Sequence, residues 1–225
     1  MLENKSDEII VTNAGVNGNN TSDLLLRLHS DVLSKHPQLV VLMIGTNDML
    51  SPDNRISLQL YKENYQKLIS EIKMHAELVL MTIAPVNAEY VLIRQDPELY
   101  DSDGPCGRIS SANSTIRQLA VTNNCSLIDI HGILHACGGA GTDHESLIQN
   151  EANSGIKDGV HPTANGYRVI GAAVFQAIKL LQPQTKNIVC FGDSITFGYR
   201  MEGEGTISGD PYPAVLNRMM ITHKV

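Results

Sequence analysis

The chain has 225 residues, of which 42% are hydrophobic, and it carries a net charge of −7 at pH 7. This length predicts one domain, spanning residues 1–225, and the negative charge excludes the basic surface by which proteins bind nucleic acid or anionic lipid. No segment is long and apolar enough for stable membrane insertion, and residues 1–7 lack the apolar core of a signal peptide, so we expect a cytoplasmic location.

Short segments rich in Val, Ile and Leu alternate with longer segments that have helical periodicity. The predicted strands are residues 8–13, 39–44, 78–83, 126–130 and 187–191. The predicted helices are residues 21–34, 56–75, 110–123, a segment that follows His161, and residues 213–220. Uniformly apolar strands are typical of parallel sheets that are covered on both faces. The alternation therefore predicts an α/β fold with helices on both sides of a parallel sheet.

A loop rich in glycine and asparagine, residues 12–22, follows the first predicted strand. A glycine here lets the main chain approach a reacting carbonyl closely, so the amide of Gly18 is a candidate oxyanion donor. Gly15 is the competing glycine. Either residue also suits an ordinary tight turn.

The segment Gly45-Thr46-Asn47-Asp48 follows the second predicted strand. The side-chain amide of Asn47 is a second candidate oxyanion donor. Asn47 and Asp48 also suit a cap on the following segment, and for Asp48 the cap is the favoured interpretation.

Potential metal ligands crowd the segment after the fourth predicted strand. They are His131, His135, Cys137, Asp143, His144 and Glu145. The His131/His135 spacing suits a metal only on a helix, and the neighbouring glycines argue against a long one. A solvent-facing or substrate-lining insertion is therefore favoured, in which residues 136–157 form a long loop of the kind that builds lids or binding walls. A metal hydrolase using His131, His135 and His144 is the alternative.

Asp158-Gly159-Val160-His161-Pro162 places a carboxylate three residues before an imidazole. In this arrangement Asp158 can orient His161 for the activation of a nucleophile. The alternative is that Asp158 caps the helix that follows, in whose first turn a proline is well suited.

Gly192-Asp193-Ser194-Ile195-Thr196 ends the last predicted strand. Open α/β sheets carry their reactive groups where strands end, so Ser194 is the candidate nucleophile. Taken alone, this segment would be an ordinary turn in which Asp193 caps a helix. The three segments that carry Gly18, Asn47 and His161 favour a catalytic role for Ser194 instead. Four residues are candidates for lining an acyl pocket or for ordinary packing. They are Tyr100, Tyr199, Met201 and Tyr212.

Four segments, called blocks below, are residues 13–19, 45–48, 158–162 and 192–196. Together they resemble the motifs of the SGNH hydrolases, also called GDSL esterases and lipases, and the resemblance covers nearly the whole chain. The resemblance implies a flavodoxin-like three-layer α/β/α sandwich with a five-stranded parallel sheet. It also implies Ser194 as nucleophile, His161 as base and Asp158 as the acid that orients it. An oxyanion hole formed by Ser194, Gly18 and Asn47 is implied as well. No metal or organic cofactor is expected.

The order of the blocks departs from the family pattern. Family members begin with the nucleophile block, whereas here it comes last. We therefore predict a circularly permuted chain in which residues 182–186 join the usual termini of the family. The new termini then fall in the helix-to-strand connection between residues 213–220 and residues 8–13, and surface connections of this kind tolerate cutting. This join lacks the Gly/Ser character of an engineered linker, which favours a natural permutation.

The expected activity is the hydrolysis of small-molecule carboxylic esters by a serine esterase that forms an acyl-enzyme. Short-chain or acetyl esters, including carbohydrate acetates, are favoured because no feature predicts a long acyl tunnel or a membrane-binding face. A lysophospholipase or thioesterase and a non-catalytic carbohydrate-binding module on the same fold are the alternatives. The oligomeric state is left open.

Overall fold

The computed structural model describes residues 8–100, 102–181 and 184–223. These residues contain a five-stranded parallel sheet in the order β1-β5-β2-β3-β4. The strands are β1 Ile10–Gly15, β2 Leu39–Met43, β3 Glu77–Met81, β4 Ser126–Ile128 and β5 Asn187–Gly192. The last strand in the chain thus lies inside the sheet, between the first two.

Helices cover both faces of this sheet, and ten of them lie in the described part of the chain. They are α1 Thr21–Asp31, α2 Thr46–Leu50, α3 Leu58–Lys73, α4 Ala88–Arg94, α5 Gly104–Thr122, α6 Ile130–Ala136, α7 Glu151–Ser154, α8 Ala164–Leu181, α9 Ser194–Phe197 and α10 Tyr212–Thr222. Two short 3-10 turns, Leu33–Lys35 and Pro97–Leu99, complete the set.

The core consists of two layers because successive residues of each strand point to opposite faces. Val40 and Leu42 of β2 pack against α1, α3 and α5 on one face. Val41 and Met43 pack against α6, α8 and α10 on the other. Since both faces are covered, all five residues of β2 are buried. The predicted three-layer α/β/α sandwich with a five-stranded parallel sheet is confirmed.

The predicted strands agree with the observed ones to within a few residues. The first observed strand begins and ends two residues later than predicted, because its pairing with β5 runs from Ile10 to Gly15. The fourth is shorter than predicted, because the Asp129 side chain accepts a hydrogen bond from Gly132 N and so begins α6. The short helices α2, α4, α6, α7 and α9 were not predicted, since one or two turns are too few to show a period.

Some sequence features fall outside the described residues. These are residues 1–7, which lack the apolar core of a signal peptide, and residues 182–183, which belong to the predicted connection between the usual termini of the family. No helix in the ranges that the structure describes has the length and apolar character needed to cross a bilayer.

Candidate active site

The candidate site residues meet at one edge of the sheet, because the carboxyl ends of parallel strands lie side by side. They surround a cavity of about 350 Å³. Its lining consists of Asn17, Gly18, Thr46, Asn47, Leu50, Ser51, Pro52, Gln95, Val160, His161, Ser194 and Tyr199. The fold therefore brings together Gly18 and Ser194, which are 176 residues apart in the chain.

Ser194 begins α9 directly after β5, in a turn that has little free space. A Cβ atom at Gly192 would lie 2.3 Å from Met43 O, so glycine is required at this position. The Asp193 side chain accepts a hydrogen bond of 2.9 Å from Ile195 N and starts the helix. Within the described residues the N–H of Ser194 has no acceptor, and it is available to a ligand in the cavity.

His161 bridges Ser194 and Asp158. Its Nε2 atom lies 3.0 Å from Ser194 Oγ, and its Nδ1 atom lies 2.9 Å from Asp158 Oδ2. Asp158 Oδ1 also accepts hydrogen bonds from Val160 N at 2.9 Å and His161 N at 2.7 Å. Burial by itself would raise the pKa of Asp158, but these bonds and the neighbouring imidazole lower it to about 2. Asp158 is therefore a carboxylate at neutral pH, as a group that orients an imidazole must be.

The loop before Asp158 supports this turn from the interior. Gln149 N donates to His161 O at 2.8 Å, Gly159 N donates to Gln149 O at 2.9 Å, and Gln149 Nε2 donates to Pro162 O at 3.0 Å. Residues 146–150 are buried. The prediction of a solvent-facing insertion, lid or wall for residues 136–157 is therefore wrong for this part, which is a packed support because its polar groups are paired inside the protein.

Gly18, on the loop that follows β1, and Asn47, on the helix α2 that follows β2, line the same cavity as Ser194. Gly18 has a φ of +79°, a left-handed conformation that favours glycine. The described residues contain no acceptor for its N–H. Asn47 Nδ2 donates to Asn19 O at 2.9 Å, which holds the amide in place and leaves its second hydrogen for the cavity. The competing Gly15 ends β1 instead, where a Cβ atom would lie 2.1 Å from Phe197 N.

Other candidates lie away from this cavity. Asp48 does not cap its own segment. It is buried and accepts hydrogen bonds from Thr21 N, and these bonds hold the start of α1 against α2. Tyr212 is a fully buried core residue. Of the four predicted lining residues only Tyr199 borders the cavity, with its ring centroid 4.9 Å from that of His161.

His131 and His135 share the short helix α6, but they line a separate cavity of about 570 Å³. His131 Nδ1 contacts Ile83 O at 3.2 Å. In the part of the chain that the structure describes, no three or more His, Cys, Asp or Glu side chains are placed to hold a metal ion. The geometry therefore adds nothing to the metal-hydrolase alternative.

Comparisons with known proteins identify the family of this chain. The profile of the GDSL-like lipase/acylhydrolase family matches residues 1–169. The chain belongs to this family. The matched range ends before β5, so the block around Ser194 lies outside it. As a GDSL-family member the protein is a carboxylic ester hydrolase, and it acts on small-molecule esters.

Three relatives illustrate the similarity of this GDSL-family hydrolase to other proteins. The uncharacterized lipoprotein YqeF of Bacillus subtilis is 32% identical over 174 residues, which are 71% of this chain and 70% of YqeF. An acetylxylan esterase of Geobacillus stearothermophilus is 25% identical over 178 residues, with coverages of 76% and 72%. The crystal structure of the acetyl xylan esterase AlAXEase has a TM-score of 0.58 at 26% identity and covers 73% of this chain and 79% of its own.

The predicted cytoplasmic location is wrong. The relative YqeF is a lipoprotein, which points to a membrane-anchored or secreted protein. The composition and charge of a folded domain do not distinguish an anchored or secreted protein from a cytoplasmic one, because a lipid anchor is carried by a short segment outside such a domain.

Arg27 is a site residue that the sequence did not reveal. Its guanidinium donates to Ala14 O at 2.9 Å at the end of β1, to Gly192 O at 2.7 Å at the end of β5, and to Asn19 Oδ1 at 2.6 Å. It thereby ties the loop that carries Gly18 to the strand that precedes Ser194. In the sequence, Arg27 and Asp31 look like an ordinary i, i+4 surface pair, so nothing marks this role.

Two buried carboxyl groups of this hydrolase predict an unusual pH dependence of stability. Burial raises the pKa of Asp193 to about 7 and that of Asp48 to about 6. Because the folded protein binds these protons more tightly than the unfolded chain does, stability is complete below the ordinary value of 3.8 and is lost as the pH rises through about 7. Asp158 has the opposite shift, and its contribution is lost only as the pH falls towards about 2.

We therefore expect the free energy of unfolding to decrease from about pH 4 to about pH 7 in urea titrations. Asp193→Asn should flatten this decrease, because asparagine still accepts the bond from Ile195 N but does not ionise. Asp210→Asn, a change of a half-buried carboxylate that pairs with Arg168, is the control. An undiminished slope in Asp193→Asn would show that Asp193 is not the titrating group.

Proposed function

We propose that this GDSL-family hydrolase is a serine esterase that removes acetyl and other short acyl groups from carbohydrate esters through an acyl-enzyme. The observation that carries the proposal is the 3.0 Å contact between Ser194 Oγ and His161 Nε2, with Asp158 at 2.9 Å on the other side of the ring. Nucleophile, base and orienting acid in hydrogen-bond contact are the arrangement that activates a serine hydroxyl.

In the first half of the reaction Ser194 Oγ attacks the ester carbonyl while His161 Nε2 takes its proton. The negative charge that forms on the carbonyl oxygen is stabilised by the N–H of Ser194, the N–H of Gly18 and the amide of Asn47. When the tetrahedral intermediate collapses, His161 returns the proton to the leaving alkoxide, and the alcohol departs. The acyl group stays on Ser194 as an ester.

In the second half a water molecule attacks this acyl-enzyme. His161 takes a proton from the water, the same three donors hold the new oxyanion, and the acid leaves as Ser194 regains its proton. Throughout both halves the Asp158 carboxylate keeps the imidazole in one tautomer and stabilises the imidazolium.

Two further features support short acyl groups and a carbohydrate alcohol. The cavity is about 350 Å³ in volume and carries several polar side chains on its lining. Two of the relatives named above are acetylxylan esterases. By analogy with them, acetylated xylo-oligosaccharides are the substrates to test first.

We also infer that the chain is one domain with a circularly permuted block order. Counting β5 first changes the sheet order from 1-5-2-3-4 to 2-1-3-4-5, which is the flavodoxin-like order. The family profile, which matches residues 1–169 and excludes the block around Ser194, is consistent with this.

The proposed substrate preference predicts that kcat/KM falls by at least about tenfold from p-nitrophenyl acetate to the octanoate, with the butyrate in between. The reason is that a short acyl pocket excludes the longer chain from the productive position. Release of acetate from an acetylated xylo-oligosaccharide should be observed with the same preparation.

Two results would contradict this proposal. A preference for octanoate would favour the lysophospholipase or thioesterase alternative. A folded protein that hydrolyses no ester would favour the carbohydrate-binding module.

A further inference from the structure

Gln95 is a polar residue of the cavity lining that the mechanism above does not use. It follows α4 directly, is half-buried, and lines the cavity. Neither its sequence neighbours nor any of the four blocks marks it as a site residue.

The side-chain amide of Gln95 is oriented by Tyr100. The Tyr100 hydroxyl donates a hydrogen bond to Gln95 Oε1 and lies 3.4 Å from Leu50 O. The tyrosine ring also contacts two guanidinium groups, those of Arg55 at 6.0 Å and Arg108 at 5.7 Å from its centroid. Because Oε1 is the acceptor, the Nε2 group carries both hydrogens and forms no hydrogen bond with the described residues.

The position of Gln95 indicates which part of the substrate its Nε2 group would contact. The preceding residue, Arg94, donates a hydrogen bond to the Asp158 carbonyl, so the end of α4 lies beside the turn that holds His161. In the proposed mechanism His161 Nε2 delivers a proton to the departing alcohol, which must therefore lie on the same side of the cavity. The free amide hydrogens of Gln95 thus lie on the side of the leaving group.

We propose that Gln95 selects a polyhydroxylated leaving group, by donating a hydrogen bond from Nε2 to a sugar hydroxyl or ring oxygen. An apolar alcohol in this position would cover the donor without offering it an acceptor, which is costly, so such an alcohol is disfavoured relative to a sugar. This inference rests on the proposed function and adds to it the residue that recognises the alcohol.

The test compares kcat/KM for an acetylated xylo-oligosaccharide with kcat/KM for p-nitrophenyl acetate. Gln95→Met has a side chain of similar length without hydrogen-bond donors, and it is expected to lower the ratio of the two values about three- to tenfold. Tyr100→Phe keeps the ring but loses the orienting hydroxyl, and it is expected to lower the ratio by a smaller factor. Gln59→Met, a change of an exposed glutamine on α3, is the control and leaves the ratio unchanged.

The possible outcomes separate this inference from the proposed function. If the unsubstituted protein hydrolyses both esters and Gln95→Met keeps the ratio, or lowers both values equally, the inference is wrong and the proposed function stands. If the unsubstituted protein hydrolyses the aryl acetate but not the sugar acetate, the carbohydrate part of the proposed function fails and the inference fails with it. Thermal unfolding of both variants checks that they are folded.

Discussion

Ser194→Ala is expected to reduce kcat for p-nitrophenyl acetate by about four to six orders of magnitude. The substitution removes the oxygen that lies 3.0 Å from His161 Nε2 and forms the acyl-enzyme bond. KM should change far less, because the walls of the cavity and the donors of Gly18 and Asn47 stay in place. The residual rate should come from these donors and from substrate binding alone.

Two measurements make this prediction specific. Ser114→Ala, which changes an exposed serine on α5, should keep full activity. Reaction with a fluorophosphonate, followed by mass spectrometry of the digest, should label the peptide that contains Ser194 and no other. Full hydrolysis by a folded Ser194→Ala variant would exclude Ser194 as the nucleophile.

Asp158→Asn is the second large effect, with an expected loss of about 10⁴-fold in kcat. The carboxylate accepts from His161 Nδ1 and leaves Nε2 free to take the proton of Ser194. An asparagine amide can turn a donor towards Nδ1, which favours the tautomer that cannot act as the base. The hydrogen bonds from Val160 N and His161 N can still be made to Oδ1, so the turn should keep its shape.

The fold of this variant can be checked independently of its activity. Its affinity for the product acetate and its thermal unfolding should remain close to those of the unsubstituted protein. Asp129→Asn, which alters a half-buried carboxylate paired with Arg117 on the surface, serves as the control and should retain activity. An Asp158→Asn variant with more than about a tenth of the original kcat would mean that another group orients His161.

Local pattern was sufficient to predict the parallel sheet and the candidate residues. The strands are uniformly apolar because both faces are covered, and this leaves a recognisable run in the sequence, as in Val40 and Val41 of β2. The four blocks are equally local. Each joins a strand end to a turn whose glycines and polar side chains satisfy backbone requirements, as Gly192 and Asp193 do before Ser194.

Contacts between distant segments lay beyond local pattern. Arg27 donates hydrogen bonds to the ends of β1 and β5 and to the Asn19 side chain. Gln149, which is buried, forms hydrogen bonds with the turn that contains Asp158 and His161. The orientation of Gln95 depends on Tyr100. None of these roles leaves a periodic or compositional mark, because each is set by the three-dimensional position of a partner.

The sequence indicated the site residues of each block, whereas the position at which the blocks come together was decided by the tertiary structure. Residue types and spacing identified Ser194, His161, Asp158, Gly18 and Asn47 as candidates one block at a time. Their assembly around one cavity required the insertion of β5 between β1 and β2, so that the strand before Ser194 pairs with two strands that come more than 140 residues earlier in the chain. Strand order is decided by long-range pairing and packing, since an apolar strand of five or six residues pairs equally well with many neighbours until the helices that cover it are in place.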